Sequence, residues 1–193
     1  MPLCRLHITG ASGTGTTTLG RALANALSAP HADTDDYFWV PSTPPYTTKR
    51  EPEERLELMH RMFVPRDRWV LSGSLMGWGD PLIPYFDTVV FLVLDAGERL
   101  ARLHRRERLR YGSSIDAGGA SHRAHQAFIE WAASYDDADF DGRSRVRHER
   151  WLAGLPCPVL WLDSSRPVPD LCDDVLRFVK ALPSTDRAPA PRI

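Results

Sequence analysis

"HITGASGTGTTTLGRALANAL", His7 to Leu27, is the stretch on which the reading of this chain turns. An apolar-rich run over residues 3 to 9 leads into it and suits a buried strand. Beyond it, Leu19, Leu23 and Leu27 recur every four positions, which puts them on one face of a helix over residues 16 to 27 that Pro30 closes. A strand entering a helix through so many small residues turns several backbone N–H groups toward an anion at the helix N-terminus. Glycine serves there because a side chain would hold the backbone away from phosphate oxygens. The expected phosphate contacts are Gly10, Ala11, Ser12, Gly13, Thr14, Gly15, Thr16, Thr17 and Thr18. Thr17 would offer its hydroxyl to a magnesium ion bridging the terminal phosphates of a nucleoside triphosphate. A turn that merely caps a helix is the alternative.

Working outward, 193 residues suit one domain with a proper core. A net charge of -1 gives no positive field to gather nucleic acid, so no nucleic-acid partner is expected. Cys4, Cys157 and Cys172 are far apart and odd in number, which indicates neither a disulfide framework nor a zinc knuckle. No charged-then-apolar leader and no window of roughly 18 apolar residues is present, so the expectation is a cytoplasmic protein without a membrane partner. Residues 183 to 193 read as a polar, proline-rich, frayed tail.

The remaining chain alternates strands and helices. "HADTDDYFWV" reads as a short extended segment running into a turn, and residues 41 to 50 as an exposed proline-rich loop. A helix follows at "EPEERLELMHRMF", with Leu56, Met59 and Phe63 on one side. "RWVLSGS", "TVVFLVLD" and "PVLWLD" are strand candidates, the second typical of a parallel strand covered on both faces. Helices are expected over residues 97 to 110, in "SHRAHQAFIEWAASY" and in "VPDLCDDVLRFVKAL". This order indicates an α/β domain with a mainly parallel sheet, the glycine turn following its first strand.

The glycine turn resembles the P-loop of small nucleoside, sugar and metabolite kinases of the adenylate kinase and shikimate kinase type. It departs from them at Thr16, which stands where the family carries a lysine that neutralises the transferred phosphoryl group. Losing one preorganised charge contact commonly costs on the order of 3 kcal/mol in the transition state. The resemblance implies a three-layer α/β/α P-loop fold with sheet order 2-3-1-4-5, a single domain over residues 1 to 182, and a helical lid over about residues 107 to 150. It implies ATP or another nucleoside triphosphate and Mg2+ as cofactors, with a small-molecule phosphoryl acceptor.

"DTDD" resembles the D-x-D of shikimate and gluconate kinases, carried here by Asp33 and Asp35. Carboxylates at the end of a strand border the ligand crevice of such sheets, so Asp35 is the candidate base and, with Thr17, the candidate metal contact. An Asx turn capping the next segment of chain is the alternative. The stretch after the third strand, "VLSGSLMGWGDP", has Ser72 and Ser74 where related kinases often carry an aspartate. Six arginines crowd residues 98 to 110, and "GRSRVR" returns basic charge later. In the resemblance, Arg102, Arg105 and Arg106 match the first helix of the lid, and Arg143, Arg145 and Arg147 its return. Arg102, Arg106 and Arg143 are the candidates to grip phosphate oxygens with a planar fork. Of the two lysines, Lys49 sits in the proline-rich loop and Lys180 near the end of the last helix. His122 and His125 have metal-compatible spacing without an evident third ligand. The chain therefore reads as an ATP-dependent phosphotransferase or, because of Thr16, as a nucleotide-binding sensor or slow ATPase without kinase activity. The oligomeric state is not legible.

Overall fold

The computed structural model describes residues 4–182. The tail expected over residues 183 to 193 lies outside the described residues. Strands β1 (Cys4–Gly10), β2 (His31–Asp33), β3 (Arg68–Ser72), β4 (Thr88–Val93) and β5 (Val159–Asp163) form one sheet in the order β2-β3-β1-β4-β5. Every pairing is parallel. The expected three-layer α/β architecture and its strand order are therefore present.

Seven α-helices flank or overhang the sheet among the described residues: α1 (Thr16–Leu27), α2 (Thr34–Phe38), α3 (Pro52–Met62), α4 (Ala96–Tyr111), α5 (His122–Ala133), α6 (Arg145–Ala153) and α7 (Val168–Ala181). On one sheet face Leu19 and Leu23 of α1 and Leu171 and Val175 of α7 pack on Leu6, Ile8, Val70, Val90 and Leu92. On the other, Met59, Phe63, Leu82, Phe86 and Leu152 pack on Trp69, Leu71, Val89 and Phe91. β4 is buried along nearly its whole length because layers cover it from both sides.

One segment folds differently from its sequence reading, and a second carries a helix that the sequence does not announce. "HADTDDYFWV" yields only three strand residues and then the short helix α2, because Asp33 turns its carboxylate back to accept the Asp35 N–H at 3.1 Å and so starts a turn. "DDADFDGRSRVRHER" contains α6, anchored by buried His148 and Leu152. The proline-rich loop is exposed as expected but pinned at its neck. Trp39 and Lys49 form a bridge there, and Arg50 Nη1 donates to the carbonyls of Asp36 and Tyr37 at 2.9 and 2.8 Å.

α4 begins under an Asp95 cap that accepts the N–H groups of Gly97 and Glu98. It turns Arg99, Leu103 and Glu107, spaced by four, into the protein. Its remaining arginines therefore project outward or toward the carboxyl ends of the strands. No helix among the described residues is long and apolar enough to cross a membrane.

Candidate functional site

Between β1 and α1 the chain bends sharply, with Gly13 at φ 90° and Gly15 at φ 92°. An L side chain is strained in that region, and at Gly13 a Cβ would also come within 2.6 Å of the Arg99 carbonyl oxygen. No side chain caps the start of α1, so the first helical N–H groups keep their donors directed outward. Thr14 supports the bend from inside: it is buried and its Oγ1 donates to the Ala11 carbonyl at 2.8 Å. Ala11 is buried beside it, whereas Ser12, Gly15, Thr16 and Thr17 are partly open and Thr18 faces solvent. These are the features a polyphosphate cradle requires.

Thr17 points to the acidic segment. Its Oγ1 donates to Asp33 Oδ2 at 2.7 Å, and Ser72 Oγ donates to the same oxygen at 3.2 Å. His31 Nε2 meets Ser72 Oγ at 2.9 Å. This group converges because β2 and β3 are in register with Asp33 opposite Ser72. Asp33, rather than Asp35, thus touches the Thr17 hydroxyl. Asp35 stands two residues on, reached by solvent yet ringed by protein. Burial first, then the neighbouring Asp33 carboxylate, raise its pKa above the usual carboxylate value, while Arg143 and Arg106 pull it down.

Of the arginines singled out, three gather at this edge. Arg143 Nη2 donates to Ser12 Oγ at 2.6 Å, its guanidinium lies 4.9 Å from the Trp131 ring centre, and its Nε is buried without a hydrogen-bond partner. Arg102 donates to the Ser164 carbonyl at 3.1 Å, and its Nη1 is 4.0 Å from where a Cβ of Gly15 would stand. Arg106 acts on Asp35 while pairing with Glu107 and lying over Phe128. The others serve elsewhere. Arg105 is exposed, Arg145 pairs with Glu149, and Arg147 pairs with Asp141. Lys49 lies over the Phe38 and Trp39 rings at 5.7 and 6.0 Å, and Lys180 is an exposed residue in the last turn of α7.

Several residues escape sequence reading. Arg55 is 6% exposed, stacks on Phe38 at 3.9 Å and Trp78 at 5.2 Å, and donates from Nε to the Arg50 carbonyl at 2.7 Å. Burial lowers its pKa, and no carboxylate is hydrogen-bonded to its guanidinium among the described residues. Fully buried His148 joins Thr9 Oγ1 and the Tyr135 hydroxyl, each at 3.0 Å. Tyr135 in turn carries the Arg99 guanidinium 5.0 Å above its ring. The only hint of such a group is a polar residue inside an apolar run. Of the consecutive aromatics Tyr37, Phe38 and Trp39, Tyr37 packs into the core against Phe63, while Phe38 and Trp39 join Trp78 and Tyr46 near the neck of the loop.

No three His, Cys, Asp or Glu residues cluster as a metal site among the described residues. His122 instead engages the Ile115 carbonyl through Nδ1, and His125 lies edge-on to His104. A magnesium ion accompanying a nucleotide takes most of its ligands from phosphate and water, for which one hydroxyl and one carboxylate suffice on the protein side. Thr17 and Asp33 fit that donor set.

No family model matches the chain. It is 44% identical over 176 residues to the uncharacterized protein YqaC of Bacillus subtilis (strain 168), covering 91% of this chain and 97% of that protein. Among solved structures it is similar to a shikimate kinase from Bacteroides thetaiotaomicron, with a TM-score of 0.54 and 16% identity over 92% of this chain and 98% of the other. A gluconokinase from Sinorhizobium meliloti 1021 gives a TM-score of 0.52 and 16% identity over 92% of each chain. At such identity these structures establish the fold, that of small-molecule P-loop kinases.

Proposed function

The chain belongs to the family of the Bacillus subtilis protein YqaC, and on that premise we propose that it is a Mg-ATP-dependent phosphotransferase acting on a small metabolite. One observation carries the reading. The Thr17–Asp33 pair stands at the uncapped start of α1, and Asp35, two residues on, feels the charge of Arg143 and Arg106. The backbone from Gly10 to Thr18 would cradle the phosphates of ATP or another nucleoside triphosphate. Thr17 and Asp33 would hold the magnesium ion, which when bound neutralises charge on the terminal phosphates.

Asp35 would take the proton of an acceptor hydroxyl as that oxygen bonds to the γ-phosphorus. The bond from the γ-phosphorus to the β,γ-bridging oxygen breaks, and its electron pair leaves on ADP. Arg102, Arg106 and Arg143 would steady the charge on the migrating group. Arg55, stacked on Phe38 just after the acidic segment, would offer positive charge to an anionic acceptor. A cytoplasmic setting, where ATP is supplied and thiols stay reduced, suits three free cysteines.

Thr16 supports a second reading, in which the protein binds nucleotide as a sensor or slow ATPase without transferring phosphate. Calorimetry of Mg-ATP binding, with turnover against hydroxy acids, sugars, nucleosides and nucleoside monophosphates, separates the two. The kinase reading expects turnover with one class, and about a hundredfold loss in Thr17→Val. Binding without turnover on any acceptor overturns it in favour of the sensor.

A further inference from the structure

The geometry points to Arg143 as the cation that stands in for the lysine absent at Thr16, delivered to the phosphate from across the cleft instead of from the P-loop. This rests on the P-loop reading of the site. Most other cationic side chains near the loop are engaged. Arg99 is buried and paired with Asp136, Arg106 pairs with Glu107, and Arg108 pairs with Asp116. Arg102 donates to the Ser164 carbonyl, and Lys49 is held over aromatic rings. Arg143 differs. Unlike Arg99, Arg106 and Arg108 it is without a salt bridge among the described residues, and unlike Arg102 and Lys49 it donates to Ser12 inside the bend.

The surroundings of Arg143 are costly for a lone charge. Burial is the largest influence on it and lowers its pKa; Tyr135 and Asp35 raise it, and Arg99 opposes it. Its Nε finds no hydrogen-bond partner, and Trp131 covers one face. A guanidinium with a buried, unpartnered Nε and no bonded carboxylate is stabilised when an anion supplies the missing acceptor. The anion in question is the terminal phosphate of a nucleoside triphosphate. Arg143 donates to Ser12, in the cradle, and its charge is felt at Asp35, the candidate base. A phosphoryl group transferred from the cradle toward Asp35 would come within its reach. Its planar fork can follow two oxygens through that passage, which a single ammonium on α1 cannot do.

The test is a double-substitution cycle on the full chain, read by calorimetry with magnesium and the non-hydrolysable β,γ-imido analogue of ATP. Arg143→Gln retains a donor for Ser12 and deletes the charge. It should weaken binding at least tenfold, as expected for one charged hydrogen bond. Thr16→Lys in the Arg143→Gln background should recover most of that loss, whereas in the native background it should change binding less than about threefold. Arg177→Ala, at an exposed position of α7, serves as the control, and circular dichroism verifies folding. Native-like binding by Arg143→Gln, or equal gains from Thr16→Lys in both backgrounds, overturns the assignment. Turnover is scored separately. If the cycle holds and no acceptor is phosphorylated, the kinase reading fails and the cation assignment stands. Turnover that survives Arg143→Gln leaves the kinase and removes the cation.

Discussion

Along β1 the side chains alternate between two layers of opposite chemistry. Leu6 and Ile8 face α1 and α7 and meet an apolar cluster that includes Leu19, Leu23, Val90 and Val175. Arg5, His7 and Thr9 face the other way and are also buried. His7 stacks on Phe86 and engages the Leu71 carbonyl through Nδ1, while Thr9 meets His148 and, through it, Tyr135. The apolar layer supports the β1–α1 bend by packing. The polar layer runs from the strand that enters the loop to the residues that surround Arg143. A buried hydrogen-bonded chain is directional, so it can fix orientation where packing fixes only volume.

The strongest way to break that contrast is Leu6→Ala. Leu6 is fully buried in the apolar layer, and truncation should cost about 3 kcal/mol in urea unfolding, within the usual span for buried leucines. Nucleotide affinity per folded molecule should not change. A selective loss of binding with little loss of stability would show that the two layers are not divided in this way.

His148→Leu comes next. It keeps the volume but leaves the Thr9 and Tyr135 hydroxyls without their shared partner, at about 2 kcal/mol in the same measurement. The double variant Thr9→Val with His148→Leu should cost less than the sum of the singles, since one orphaned hydroxyl is gone. Simple additivity would mean that the two residues are not linked.

The sequence carried one layer better than the other. The four-residue spacing of Leu19, Leu23 and Leu27 marks α1, and the structure gives α1 the same bounds, Thr16–Leu27. The unbroken apolar run of β4 likewise announces its double cover. Periodicity reports burial against a layer, so it is legible locally. Thr17 and Asp33 meet across 16 residues, Asp33 and Ser72 across 39, and Thr9 and His148 across 139. Such pairs exist only once strand order and register are set, and no local pattern encodes them. Arg55 was hidden for a related reason: amid charged residues on an exposed-looking helix, only the positions of Phe38 and Trp78 reveal its burial.

The polar layer should also make stability depend on pH. Burial lowers the pKa of His7 to about 4 and that of His148 to about 3, from an ordinary 6.5. For His148, Arg143 and His7 add to the effect, while for His7 the Leu71 carbonyl opposes it. The unfolded chain therefore binds protons that the native state refuses. Stability is full above pH 6.5 and falls as pH drops toward 4, by on the order of 1 kcal/mol per pH unit from each histidine. Asp35, whose pKa is raised, acts in the opposite direction and offsets part of the loss. Urea unfolding at pH 7, 6 and 5 should show this slope, and His148→Leu should flatten it. An unchanged slope in that variant would place the proton uptake elsewhere.

The smallest change sharpens the comparison most. Tyr135→Phe removes one hydroxyl and keeps the ring beneath Arg99, so its stability cost should be about 1 kcal/mol or less. The hydroxyl sits at the far end of the polar chain, bonded to His148 Nδ1. If the polar layer serves only to fill the core, Tyr135→Phe and His148→Leu will lower stability and leave affinity for the ATP analogue alone. If it orients Arg143, both will weaken the analogue several-fold in proportion to each other, and Leu6→Ala will not. Because Tyr135→Phe scarcely perturbs folding, an affinity change in that variant cannot be ascribed to a loosened core.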